Sequence, residues 1–184
     1  LGAVLALSKS KVVVVDLDMR KPKVHLAFGR QKGEVGVSTI LIDKHSITKA
    51  LNKTNLDNLF YTTAGSTPPN PSELILSDQF EQFISELKKE FDVIILDTPP
   101  VGVVTDGILV MKHADLPIYV VRADYSKKAY LKSINRLSLN NKFKNLTAIL
   151  NSVSSNKNHG YPYGYYEDDS ESNGSSKLSK IFSK

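Results

Sequence analysis

The chain has 184 residues, 41% of them hydrophobic, a formal net charge of +5 at pH 7 and no cysteine. That length suits one α/β domain plus a tail, and without cysteine there is neither a disulfide nor a thiolate metal site. The charge is mild, with no Lys/Arg block of the kind that argues for nucleic acid, and no apolar run approaches membrane-spanning length.

Residues 1–9 read as a helix, with Leu1, Val4 and Leu5 at helical spacing, and residues 11–16 as a strand. Pro22 to Phe28 reads as a turn and short helix, and Gly33 to Asp43 as a glycine-bearing loop followed by a brief helix (Val37, Ile40, Leu41). Ile47 to Leu51 fits another helical turn, and Leu59 to Thr63 a strand. Ser66 to Pro71 is set aside from helix and central strand, because prolines fix φ and remove donors. Ser77 is placed to cap an amphipathic helix with Phe80, Phe83, Ile84 and Leu87 on one face. Strand 92–97, helix 105–113, strand 117–122, helix 127–140 and strand 145–150 complete the series. Strands alternating with helices predict an α/β fold with a doubly wound, mainly parallel sheet. From Ser152 onward Ser, Asn, Gly, Tyr and acidic residues dominate. Such a segment cannot bury enough surface to offset its ordering entropy. The expected division is therefore a domain over 1–151 and a flexible tyrosine-rich tail over 152–184.

Two runs carry the chemistry: Val12-Val13-Val14-Val15-Asp16-Leu17-Asp18-Met19-Arg20-Lys21-Pro22, and Val93-Ile94-Ile95-Leu96-Asp97-Thr98-Pro99-Pro100. Each is a β-branched apolar run ending in a carboxylate. Continuous apolar runs suit strands buried on both faces of a parallel sheet, and ligands of such sheets bind at the strands' carboxyl ends. Two acidic strand ends in one domain point to a hydrated divalent cation beside a phosphate. A nucleoside-triphosphate site also needs a glycine-rich phosphate loop, and no GxxxxGK[ST] occurs in the sequence. Because the chain opens at Leu1 inside a helical pattern, the expectation is a fragment whose phosphate loop lies just upstream. On that expectation these 184 residues are inactive alone, since the triphosphate depends on that loop's amides and lysine.

These residues resemble the bacterial tyrosine kinases of capsule and exopolysaccharide assembly, which are P-loop NTPase-like proteins. Asp16-Leu17-Asp18-Met19-Arg20-Lys21-Pro22 is similar to that family's Walker A′ motif, and Leu96-Asp97-Thr98-Pro99-Pro100 to its Walker B. Ala64-Gly65, Pro68-Pro69-Asn70-Pro71-Ser72-Glu73-Leu74 and Gly36-Val37-Ser38 with Ile40-Leu41 also fit. The resemblance implies ATP and Mg²⁺, with Asp97 helping to hold the cation through water. Asp16 and Asp18 would sit by the γ-phosphate, one of them assisting a tyrosine hydroxyl whose unperturbed pKa is about 10; which one stays open. Arg20 would stabilise phosphate charge or make a structural ion pair. Asn151 would contact adenine or simply form a turn. Arg122 is similarly placed, while Asp106 and Asp124 read as ordinary helix-start and turn residues. In the tail, Tyr161, Tyr163, Tyr165 and Tyr166 are the expected sites of autophosphorylation on neighbouring copies.

The resemblance further implies location at the cytoplasmic face of the bacterial inner membrane. It implies a membrane chain-length-regulator region, fused upstream or separate, a ring of copies and a tyrosine phosphatase, with no nucleic acid. Two other readings stand beside the kinase. One is a partition or division-site switch ATPase that uses water as nucleophile; the other is a non-catalytic regulatory domain.

Overall fold

In the computed structural model, which describes residues 1–154 except 30, 32, 44, 45, 102–104, 128, 142 and 144, the valine run forms strand β1, Val12–Asp16. The described residues divide into two compact units, one over Leu1–His113 and one from Ala114 onward.

In the first unit, β1 is flanked by β3 (Leu59–Thr62) and β4 (Val93–Asp97), both parallel to it. The two-residue strand β2 (Asn52–Lys53) pairs antiparallel with β3 to give the order β2-β3-β1-β4. Successive side chains of a strand point to opposite faces, and the valines divide accordingly. Val13 and Val15 join Phe60, Ile94 and Leu96 on one face, under helices α3 (Val37–Asp43) and α5 (Asp78–Glu90). Val12 and Val14 join Leu59, Val93 and Ile95 on the other, under α1 (Gly2–Leu7) through Ala3, Leu5 and Ala6. Both faces of the sheet are thus covered, as the apolar runs predict.

Helix α5 forms where the sequence places it. The Ser77 hydroxyl accepts the Phe80 N–H at 3.3 Å. Asp78 and Glu81 lie in the first turn and Lys88 and Lys89 in the last, complementing the helix dipole. Its buried stripe is Phe80, Phe83, Ile84 and Leu87.

The structure departs from expectation at Pro71. That residue opens a helix, α4 (Pro71–Ile75), instead of closing the proline-rich loop. A proline fits the first helical turn because its missing N–H has no intrahelical acceptor there.

A loop contact shapes the carboxyl edge of the sheet. The Val37 and Ser38 N–H groups donate to the carbonyls of Thr63 and Ala64, each at 2.9 Å, and the Ser38 hydroxyl donates to the Ser66 carbonyl at 2.6 Å. Gly36 makes this approach possible: a Cβ there would stand 2.3 Å from the Gly65 nitrogen.

The remaining elements of the first unit are the short helix α2 (Val24–Ala27), a 3₁₀ turn at Ile47–Lys49 and α6 (Asp106–Met111). The second unit is one parallel β-α-β step. In it β5 (Ile118–Arg122), α7 (Ala129–Asn141) and β6 (Thr147–Asn151) follow one another, with Ile118 opposite Thr147 and Arg122 opposite Asn151.

Candidate active site at the strand ends

Asp16 and Asp97 close β1 and β4 as register partners, and the Leu17 N–H bridges the strands by donating to the Asp97 carbonyl at 2.8 Å. Asp16 is fully buried. Its Oδ1 accepts the Asp18 N–H at 3.2 Å, and its Oδ2 accepts those of Lys23 and Val24 at 3.2 and 3.0 Å. This carboxylate therefore folds residues 18–24 back over the end of its own strand. Burial pushes its pKa above the usual aspartate value and the charge of Asp18 adds to that, while the three N–H donors pull against the rise.

Asp18 is half-buried and more open. Its Oδ1 accepts the Lys21 N–H at 3.0 Å, and Oδ2 has no protein partner among the described residues. The two carboxylates of the motif are thereby distinguished, one committed to the backbone and one with a free oxygen.

Asp97 stands at the strand end where solvent still reaches it. Crowding by the surrounding protein, and then the charges of Asp16 and Asp18, push its pKa up to about 6. Among the described residues no three His, Asp or Glu side chains are grouped so as to hold a metal unaided. A Mg²⁺ ion fits this donor set all the same, since it takes one or two carboxylates and completes its octahedron with water and phosphate oxygens. Carboxylates that repel one another, as Asp97 records, are neutralised by such a cation.

Arg20 makes its ion pair with Asp106, outside the carboxylate motifs. Its Nε–H donates to Asp106 Oδ2 at 2.8 Å, and the Ser72 hydroxyl donates to Asp106 Oδ1 at 2.5 Å. The Asp106 side chain is 2% exposed and that of Arg20 44%. Burial alone would raise the Asp106 pKa, but the Arg20 guanidinium and the Ser72 hydroxyl outweigh it and hold the group below the usual value. Asp106 opens α6 beside Gly107, where a Cβ would meet the Pro99 carbonyl at 3.0 Å and Val101 Cγ2 at 3.1 Å. That close approach seats the start of α6 on the loop that follows Asp97. Asp106, an ordinary helix-start residue by sequence, is in fact a buried ion-pair partner, and Ser72 goes with it. The sequence signal that marked Ser72 was its place in the Pro-Asn-Pro-Ser-Glu-Leu segment. Nothing local marks Asp106.

The other expected site residues fall elsewhere. Arg122 and Asn151 are exposed at the ends of β5 and β6 in the second unit. The Asn151 Oδ1 accepts the Ser152 N–H at 2.8 Å, and the Arg122 guanidinium lies 5.4 Å from the Tyr125 ring. Tyr161, Tyr163, Tyr165 and Tyr166 lie outside the described residues.

The sequence pattern of the AAA domain family matches residues 1–147. CapB of Staphylococcus aureus is 37% identical over 158 residues, covering 86% of this chain and 69% of CapB. The tyrosine-protein kinase wzc of Salmonella typhimurium is 34% identical over 168 residues, 91% of this chain but 23% of wzc. Among solved structures, the kinase domain of the Escherichia coli tyrosine kinase ETK superposes with a TM-score of 0.76 at 32% identity, covering 90% of this chain and 64% of that one. The chain therefore spans only part of each of these relatives.

Proposed function

Because the chain belongs to the bacterial tyrosine-protein kinase family, we propose that its strand-end carboxylates serve an ATP-dependent tyrosine kinase. The intact protein phosphorylates the tail tyrosines Tyr161, Tyr163, Tyr165 and Tyr166 of neighbouring copies. The observation that carries this reading is the convergence of Asp16, Asp18 and Asp97 at the carboxyl ends of β1 and β4, with the Asp97 pKa at about 6.

When bound, Mg²⁺ would supply charge neutralisation for the triphosphate, and Asp97 would help to hold it. Asp16 braces the loop that presents Asp18, through its three backbone hydrogen bonds. Asp18 Oδ2, unpartnered among the described residues, takes the phenolic proton as the tyrosine oxygen bonds to the γ-phosphorus. The bond to the β–γ bridging oxygen breaks, and ADP leaves with that electron pair.

The intact protein works at the cytoplasmic face of the bacterial inner membrane. There it works with a membrane chain-length-regulator region, fused or separate, in a ring of copies, and a tyrosine phosphatase opposes it. The output is control of capsule or exopolysaccharide polymerisation and export.

The test is phosphate mapping by mass spectrometry on the intact protein incubated with ATP and Mg²⁺, alongside Asp18→Asn. Phosphate on the four tail tyrosines that disappears in the variant is the expected result. ATP turnover with unmodified tyrosines would overturn the reading in favour of a switch ATPase.

A further inference from the structure

The Ser72–Asp106–Arg20 chain reaches beyond the carboxylate motifs, and its geometry differs from that of a closed structural ion pair. Arg–carboxylate pairs are frequently bidentate, fork to fork, through two parallel N–H bonds. Here Arg20 is engaged through Nε, and its two terminal nitrogens have no protein partner among the described residues. Asp106 is the reverse: both its oxygens are taken and it is shut away from solvent. One end of the chain is thus buried and saturated, while the other is half-exposed and carries unused planar donors. Arg20 follows Asp18 by two residues in the loop that the Asp16 carboxylate folds over the end of β1, so the free edge is carried on the same loop as the carboxylate site. The bracket draws on three separate elements: the loop after β1, the start of α4 and the start of α6. Gly107 fixes the last of these against the loop after Asp97.

We propose that Asp106 and Ser72 are positioning residues that hold the Arg20 guanidinium edge toward the phosphoryl group in transfer. The inference rests on the phosphoryl-transfer reading above, and it adds two residues to the machinery. A single bond at Nε fixes the plane of the guanidinium while leaving its bidentate edge to a phosphate. A donor held in place before reaction acts most strongly where charge is greatest, in the transition state. The bracket should therefore affect kcat and transition-state-analogue binding far more than ground-state nucleotide binding.

The experiment compares wild type, Asp106→Asn, Arg20→Lys, the double variant, Ser72→Ala and Ser72→Thr in the intact protein. Binding of ADP and of ADP with aluminium fluoride is measured for each, together with ATP turnover and tyrosine labelling. Asp106→Asn is expected to weaken ADP–aluminium fluoride about 10- to 100-fold while leaving ADP affinity nearly unchanged. The double variant should be no worse than the poorer single, because both changes remove the same oriented donor. Ser72→Ala should show the same selective loss at about fivefold, with Ser72→Thr restoring it. Equal losses for ADP and for the analogue, or effects of Asp106→Asn and Arg20→Lys that multiply, would overturn the proposal and leave a structural clamp. If Asp106→Asn fails to fold, the Ser72 pair decides by the same criterion. If wild type turns over ATP without labelling tyrosine, the kinase reading falls while the binding comparison still tests the bracket.

Discussion

Asp97 is under opposed demands: the cation it would hold favours the carboxylate, and its neighbours favour the acid. An aspartate in an unfolded chain titrates at about 3.9, whereas the folded protein raises Asp97 to about 6. Between those values the folded state binds the extra proton. The stability that this group contributes is therefore complete below about pH 4 and is lost as pH climbs through about 6. Asp16 is shifted in the same direction, so it adds to the slope and persists when Asp97 is replaced. In the nucleotide-free protein, Asp97→Asn should raise the melting temperature at pH 7.5 relative to wild type and leave it little changed at pH 4. The same substitution should lower Mg²⁺-dependent turnover by about 10- to 100-fold, and wild-type turnover should fall as pH drops below 6. Identical melting slopes in the two proteins would refute the assignment.

Asp16 and Asp18 separate by stability. Asp16→Ala strands three N–H donors and should cost about 3 kcal/mol in chemical denaturation, against about 1 kcal/mol for Asp18→Ala. Both residues were legible in the sequence because an apolar run breaking into acid is a local pattern. Asp106 was not. Its partners Arg20 and Ser72 lie 86 and 34 residues away, and only the folded chain brings them together.

At the scale of elements, legibility follows the amount of local signal. Helix α5 carries a cap, charges at the proper ends and a stripe at helical spacing, and it forms from Asp78 to Glu90. Phe80 is fully buried, so Phe80→Ala should cost about 3 to 5 kcal/mol, while Ser77→Ala should cost about 1 kcal/mol through the cap. Thermal and denaturant unfolding would measure both. A smaller loss for Phe80 than for Ser77 would mean that the cap, and not burial, fixes this helix. Strand β2 had no such signal. Asn52 and Lys53 are exposed polar residues, and they become a strand only because the β3 edge offers backbone partners. Helix α4 was hidden by the prolines before it, whose stiffness argues for a loop until a helix is found to start on the last of them.

For the whole molecule, the alternation of strands and helices was enough to predict parallel pairing, whereas the order β2-β3-β1-β4 depends on contacts that no short window holds. The fold sets three carboxylates at one edge of the first unit, and that arrangement bears on how copies of the proposed kinase would part. The tail from Ser152 is balanced in charge, with four lysines against four acidic residues, so the net +5 belongs to the preceding residues. Phosphate on four tyrosines would shift the tail by about −6 to −8 charges. Two effects then compete: attraction to the basic surface as a whole, and repulsion from Asp16, Asp18 and Asp97 at the site itself. Screening decides between them, because the Debye length is about 8 Å at physiological ionic strength. For a phosphotyrosine formed at the proposed site the site carboxylates are the near charges, and attraction to charges spread over the rest of the surface is screened. Repulsion should win, and phosphorylation should release the tail and shift the intact protein toward smaller assemblies in sedimentation velocity. Phosphatase treatment should reverse the shift, and Tyr→Phe replacement of all four should abolish it. Release should also weaken below pH 6, where Asp97 takes up its proton. Larger assemblies after phosphorylation would mean that the basic surface, and not the carboxylate edge, governs how the tail docks.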